Sequence, residues 1–180
     1  MIPLPKTVLY TAKFLSLVRE GHWEYADRTN ASGAVIIVAV TPARTLLLVE
    51  QYRIPVHSRT LELPAGLIGD EPGDHPADAA TAARRELVEE TGYEAERMDA
   101  LTTGPACGGL GSEMVTIFLA RGLRRVGAGG GVANEAITVR EVPLDRVDAW
   151  LAEQAATGVL IDPKVYAGLY FLARAGELPL

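Results

Sequence analysis

Nine consecutive residues, Arg85-Glu86-Leu87-Val88-Glu89-Glu90-Thr91-Gly92-Tyr93, constrain this chain more than any other stretch. On a helix, Glu86, Glu89 and Glu90 fall at i, i+3 and i+4, so three carboxylates crowd one face. Like charges at that spacing repel, and Arg84 and Arg85 relieve only part of the strain. A solvated acidic face is the plain reading of such a string. Three oxygen donors on one face are also what a hard divalent cation such as Mg²⁺ or Mn²⁺ takes. Thr91-Gly92 ends the helix, glycine being the usual left-handed residue at a helix C-terminus, and Leu87 and Val88 can pack inward.

Upstream, Ala77, Ala79, Ala80, Ala82 and Ala83 give high helix propensity, so the helix should begin near Pro76 or Asp78. Residues 13–19 and 22–28 flank Glu20-Gly21 and read as a β-hairpin with a two-residue turn. The run 33–40 is apolar, β-branched and short, hence a buried strand, and 45–53 follows as another. Further strands are expected at 60–63, 96–101, 114–120 and 136–142. The glycine-rich stretch 127–131 reads as a flexible loop between two strands. A helix over 144–157 closes at Gly158, and Asp162-Pro163 opens a last helix that ends before Gly176.

At 180 residues the chain has the size of one catalytic domain, and an apolar share of 48% suits a substantial core. A net charge of −6 without a basic stripe argues against nucleic acid as a partner; Arg121, Arg124 and Arg125 read as an exposed strand end. The single cysteine, Cys107, excludes an internal disulfide and suits a reducing cytoplasm. The N-terminus has no long apolar run, so no signal peptide is expected, and no stretch is apolar for long enough to span a membrane.

The run 85–93 resembles the second half of the Nudix box, G-x5-E-x7-R-E-U-x-E-E-x-G-U, the signature of Mg²⁺-dependent hydrolases of nucleoside diphosphates linked to another group. Gly66, in Leu63-Pro64-Ala65-Gly66-Leu67-Ile68, is the natural box glycine. It stands 19 positions before Arg85 where the box has 14, so five residues are extra. Pro72 and Gly73 place them in a loop around 69–74, because five residues added within the helix would turn its acidic face away. The supporting box glutamate is then Glu71, with Asp74 the second choice.

Beyond the box, Val49-Glu50-Gln51-Tyr52-Arg53-Ile54-Pro55 followed by Leu61-Glu62-Leu63-Pro64-Ala65-Gly66-Leu67-Ile68 is similar to the ADP-ribose pyrophosphatase branch of that family. So are Gly21-His22-Trp23-Glu24-Tyr25 and Asp162-Pro163-Lys164-Val165-Tyr166, and the resemblance covers about 13–175. In the loop after the box, Gly109-Leu110 and Glu113 match the branch. Gly108 stands where the branch has a proline, and Pro105 lies three residues early.

Strands mixed with three helices suggest an α/β fold, and the resemblance implies a Nudix-type α/β/α sandwich with a mixed sheet plus an N-terminal β-hairpin. Residues 1–30 would form the hairpin and serve dimerisation, and 31–180 the catalytic domain. The resemblance further implies hydrolysis of ADP-ribose, or a similar nucleoside diphosphate sugar, to AMP and ribose 5-phosphate. Glu86, Glu89, Glu90 and the carbonyl of Ala65 would hold Mg²⁺, or Mn²⁺ in its place. The base that collects the attacking water's proton is Glu113, in its glycine-rich loop, or Glu135, just before the last core strand. Arg53 is either a phosphate clamp or a surface arginine at a strand end. Trp23 either stacks on a purine or packs in an interface. Glu24, Arg28, Leu67, Gly109 and Leu110 match positions near the substrate.

A two-stranded ribbon is marginal alone, and in this branch the N-terminal strands exchange between subunits, so a C2 homodimer is expected. His22, His57, His75 and Cys107 lack the spacing or the partners of catalytic groups, and Trp150 reads as core. The competing readings are a diphosphatase for GDP-mannose or another sugar nucleotide, and a Nudix-fold sensor that binds a nucleotide without cleaving it. The intact acidic cluster weighs against the sensor.

Overall fold

The computed structural model describes residues 4–70, 78–132 and 136–178. The apolar runs of β4 (Gly33–Ala39) and β5 (Thr45–Arg53) feed two cores at once, because successive side chains leave a strand on opposite faces. Ile36 and Val38 of β4 join Leu46 and Leu48 of β5 in one core; Val35, Ile37, Ala39 and Leu47 point into the other. Leu151 from α2 (Val147–Ala156) and Val165 and Leu172 from α3 (Pro163–Arg174) close the first core. Ala82, Ala83 and Leu87 from α1 (Ala79–Thr91) close the second. Helices thus cover both faces of the strands, which makes the α/β/α sandwich.

One sheet has the order β7-β4-β9-β8, with β7 at Ala65–Ile68, β8 at Tyr93–Pro105 and β9 at Met114–Arg125. The other has the order β10-β5-β6-β11, with β6 at Ser58–Glu62, β10 at Thr138–Pro143 and β11 at Leu160–Ile161. Both are mixed, since β4 runs parallel to β9 and β6 parallel to β11, while the remaining pairings are antiparallel. β8 and β9 extend well past the expected 96–101 and 114–120. The added residues mix buried Tyr93, Ala95 and Leu123 with charged pairs such as Glu94 with Arg124, so the apolar signal that marks a strand is diluted there. The three expected strand-end arginines sit there, with Arg125 on Glu141.

The N-terminal element is larger than a hairpin. β1 (Lys6–Thr11), β2 (Leu15–Glu20) and β3 (Trp23–Arg28) form a three-stranded antiparallel sheet. Every residue of β1 is exposed, so it carries no buried-face pattern. Glu20 pairs with Trp23, which makes the turn Gly21-His22, and Gly21 takes the positive φ of 62° there.

Asp78 caps α1, its carboxylate accepting from Thr81 N at 2.9 Å, and Gly92 ends the helix at φ 74°. Asp78 is therefore the cap, and Pro76 lies outside the described residues. Leu87 is fully buried as expected, but Val88 is exposed, because the inward face of α1 is the one that holds Ala83, Leu87 and Thr91. The loop at 127–131 is not the free connection its composition suggests: four of its backbone N–H groups, counted from Val126, bond to carbonyls at the end of α1.

Candidate active site

Glu86 and Glu90 lie one turn apart on α1, which brings both onto the face that packs against the start of β7. They are only 9% and 5% exposed. A Cβ on Gly66 would overlap the Glu86 carboxylate, so any side chain there would push that carboxylate aside. Next to it, Ala65 N donates to Glu90 Oε2 at 2.9 Å. Ala65 thus meets Glu90, and its neighbour Gly66 lies against Glu86.

Arg85 organises the outer edge. Its guanidinium lies 3.0 Å from Glu86 Oε1, 3.1 Å from Glu89 Oε2 and 3.1 Å from Asp70 Oδ1. It also donates to the carbonyl of Leu67 at 3.4 Å, so Leu67 contributes its main chain here. Asp70 thus supports the box arginine, an acid that spacing alone did not single out; Glu71 and Asp74, the expected choices, lie outside the described residues. One guanidinium faces three carboxylates, with buried Glu90 beside them. Such an all-oxygen set, rich in negative charge, fits Mg²⁺ or Mn²⁺ by its donor chemistry. Among the described residues no three acidic, histidine or cysteine side chains meet at one point. Glu86 and Glu89 close on Arg85 instead, and Glu90 on the Ala65 N–H.

Arg53, at the end of β5, is a clamped side chain. Its Nε and Nη2 donate to the two oxygens of Glu62 at 2.7 and 2.6 Å, and Thr60 Oγ1 adds a hydrogen bond to Glu62 at 2.5 Å. Burial alone would push the Glu62 carboxyl up, but the bonds from Arg53 and Thr60 outweigh it and hold the group below the usual carboxylate range. Arg53 is pushed up by its bond to Glu62 against the opposing pull of burial, with Glu90 and Asp162 adding attraction. It therefore stands in the field of the α1 carboxylates. Neither Glu62 nor Thr60 was singled out from sequence. The signal was available, since 49, 51 and 53 on β5 and 58, 60 and 62 on β6 alternate onto one face of the hairpin.

A third group forms where the N-terminal sheet meets the loop before β9. Arg28 Nε donates to Glu113 Oε1, and both are partly buried. The loop is stapled to β3: Ala26 N donates to the carbonyl of Leu110 at 2.8 Å, Ser112 N to the carbonyl of Ala26 at 3.1 Å, and Ser112 Oγ to Asp27 at 2.5 Å. Leu15, Ala26, Arg28, Cys107, Leu110 and Glu113 line a cavity of about 170 Å³ there. Gly109 beside it is exposed and open. Gly66 pairs with Val35 and Ile68 with Gly33, and Gly33 borders the same pair of side chains. Two residues of β4, about 7 Å of strand rise, thus separate this group from the α1 acids along the sheet.

Trp23 and Glu24 are not gathered in. Trp23 is 53% exposed at the far end of β3, its ring against His22, and Glu24 pairs with Arg19. Five residues of β3, about 16 Å, separate Trp23 from Arg28. Glu135 lies outside the described residues. Cys107 is exposed, and Trp150 packs against the first core.

A family model described as the NUDIX domain matches residues 31–166. The chain belongs to the NUDIX family. Over 123 residues it is 35% identical to a methanol dehydrogenase activator of Bacillus methanolicus, covering 68% of this chain and 64% of that protein. Over 91 residues it is 38% identical to an ADP-ribose pyrophosphatase of Bacillus subtilis (strain 168), covering 51% and 46%. The chain thus spans less than two thirds of the length of these two relatives. An ADP-sugar pyrophosphatase of Mus musculus is 36% identical over 174 residues, covering 87% of this chain and 76% of that one. A solved structure titled as an ADP compounds hydrolase superposes with a TM-score of 0.72 at 20% identity, covering 98% of this chain and 96% of the other. That likeness bears on the fold. Among the described residues no helix is long and apolar enough to cross a membrane.

Proposed function

We propose that this protein hydrolyses the diphosphate bond of ADP-ribose, or of a similar nucleoside diphosphate sugar, to AMP and ribose 5-phosphate, with Mg²⁺ as its cofactor. The observation that carries this reading is the burial of Glu86 and Glu90 against Ala65 and Gly66, beside the clamped Arg53. Buried carboxylates in such number favour a cation, and a cation beside an arginine favours a phosphate chain. The names of the Bacillus subtilis and mouse relatives supply the substrate class.

Bound Mg²⁺ supplies charge neutralisation on the diphosphate and a water acidic enough to attack near neutral pH. Glu86, Glu89 and Glu90, with the Ala65 carbonyl, are the residues that would hold it. Glu62 occupies two nitrogens of Arg53 and leaves Nη1 for a phosphate oxygen. Arg28 exchanges Glu113 for a phosphate oxygen, and the freed carboxylate accepts the water's proton; Glu135 remains the alternative acceptor. The water oxygen forms a bond to phosphorus in line with the bridging oxygen, whose bond breaks and whose phosphate departs with the electron pair.

The cavity beside Glu113 is smaller than the roughly 300–1,000 Å³ of an ordinary small-molecule site. Trp23, meanwhile, is exposed at the opposite end of β3. Both facts support a C2 homodimer in which the exposed end of β3 from one protomer completes the partner's site, Trp23 stacking on the base, while Arg28 stays on Glu113 of its own protomer. Mg²⁺-dependent turnover of ADP-ribose, GDP-mannose, NADH and diadenosine polyphosphates tests the assignment. ADP-ribose should be the best substrate. Preference for GDP-mannose moves the protein to the other sugar-nucleotide reading, and tight binding without turnover makes it a sensor. A monomeric mass at micromolar concentration with full activity removes the dimer.

A further inference from the structure

The last turn of α1 is closed by another part of the chain. A helix leaves its final carbonyls without intrahelical partners, and here Gly92 N reaches only the carbonyl of Val88, at 2.9 Å. The next ones are met from the loop between β9 and β10. Gly131 N donates to the carbonyl of Glu89 at 3.0 Å and Gly130 N to that of Glu90 at 2.8 Å; Val126 N and Gly127 N donate to that of Gly92 at 2.8 and 3.0 Å. Main chain lies directly on main chain. A Cβ on Gly129 would stand 2.7 Å from Glu90 O and 2.8 Å from Gly92 N, and Gly129 has a φ of 71°. One added methyl group cannot enter without moving the helix end or the loop.

We infer that residues 126–131 form a backbone clasp that positions Glu89 and Glu90 for the metal, so that seating of the loop and binding of the cation favour each other. The inference rests on the metal assignment proposed above. The clasp fixes the main chain of two ligand residues, so less of their freedom is lost when the ion binds. Gly129 is thus a positioning residue that touches neither substrate nor ion.

Gly129→Ala should weaken Mn²⁺ binding, read from the free-ion electron paramagnetic resonance signal without substrate, by about tenfold, as loss of support around metal ligands does. Gly122→Ala is the matched control. It has a φ of 66°, and a Cβ there would meet the side chain of Glu96 and not the carbonyls that the clasp binds. It should lower Tm yet leave Mn²⁺ binding within about twofold. Because coupling is reciprocal, Mg²⁺ added to the unmodified protein should slow deuterium exchange of the Gly130 and Gly131 amides, a measurement that stands even where Gly129→Ala does not fold. Unchanged Mn²⁺ binding in folded Gly129→Ala, or equal exchange with and without Mg²⁺, overturns the clasp. Glu90→Gln distinguishes the two failures: if it too binds Mn²⁺ normally, the metal assignment falls and the inference with it.

Discussion

The α1 wall and the Arg28–Glu113 wall of the site hold their carboxylates by different means. Glu86 and Glu90 are buried against a glycine and a main-chain N–H, in a helix whose two ends are both capped. Glu113 sits in a glycine-rich loop, held by one arginine from a sheet 85 residues earlier in sequence. The first wall is built before any ligand arrives. The second is a pairing that a phosphate can replace, since a guanidinium accepts either oxyanion. In the proposed reaction, firmly held acids on α1 beside an exchangeable acid–arginine pair would let water be deprotonated only when substrate is present.

Substitutions that break each wall should separate them. Glu90→Gln is expected to have the largest effect, a loss of three or more decades in kcat, equivalent to about 4 kcal/mol of transition-state stabilisation. Glu86→Gln should follow it. A kcat within tenfold of the parent in either would show that the buried acids do not serve the reaction. Glu113→Gln should cost less, about 10² in kcat, the low end of the range for a general base. No loss there would pass the role to Glu135. Trp23→Ala should mainly raise KM, by about tenfold or somewhat more, since stacking on a base is worth roughly 1–3 kcal/mol. An unchanged KM would leave Trp23 a surface residue.

The smallest effect concerns pH. The folded Glu62 carboxyl is held below its ordinary value, so its pairing with Arg53 adds stability that is fully present above about pH 4.3, the unfolded carboxyl value. That contribution is lost as pH falls through the lower folded value. Glu62→Gln should therefore flatten the acid limb of the Tm–pH curve, and an identical limb in both proteins would show that the pair contributes nothing there.

How legible each wall was follows from its construction. The acidic face of α1, its Asp78 cap and its Gly92 end all depend on spacings within one helix, and all could be read from adjacent letters. Ala65 and Gly66 followed from the box. Asp70 did not, because the five extra residues moved the supporting acid off the pattern. β1 is exposed throughout, and the added ends of β8 and β9 carry few buried apolar residues, so they stayed hidden until their partners were known. The stretch 127–131 read as loose because glycine removes side-chain information. Only its docking on α1 shows that the absence of side chains is what permits the contact.

What the sequence by itself determined is therefore the acidic helix, since helical geometry turns a spacing of three and four residues into proximity without help. The tertiary structure alone decided which arginine each acid meets, that Arg53 is gripped by Glu62, that Glu113 is held by Arg28, and that a run of glycines closes the helix end. Those contacts join segments distant along the chain, and their partners are chosen by strand register and packing, which no local pattern encodes.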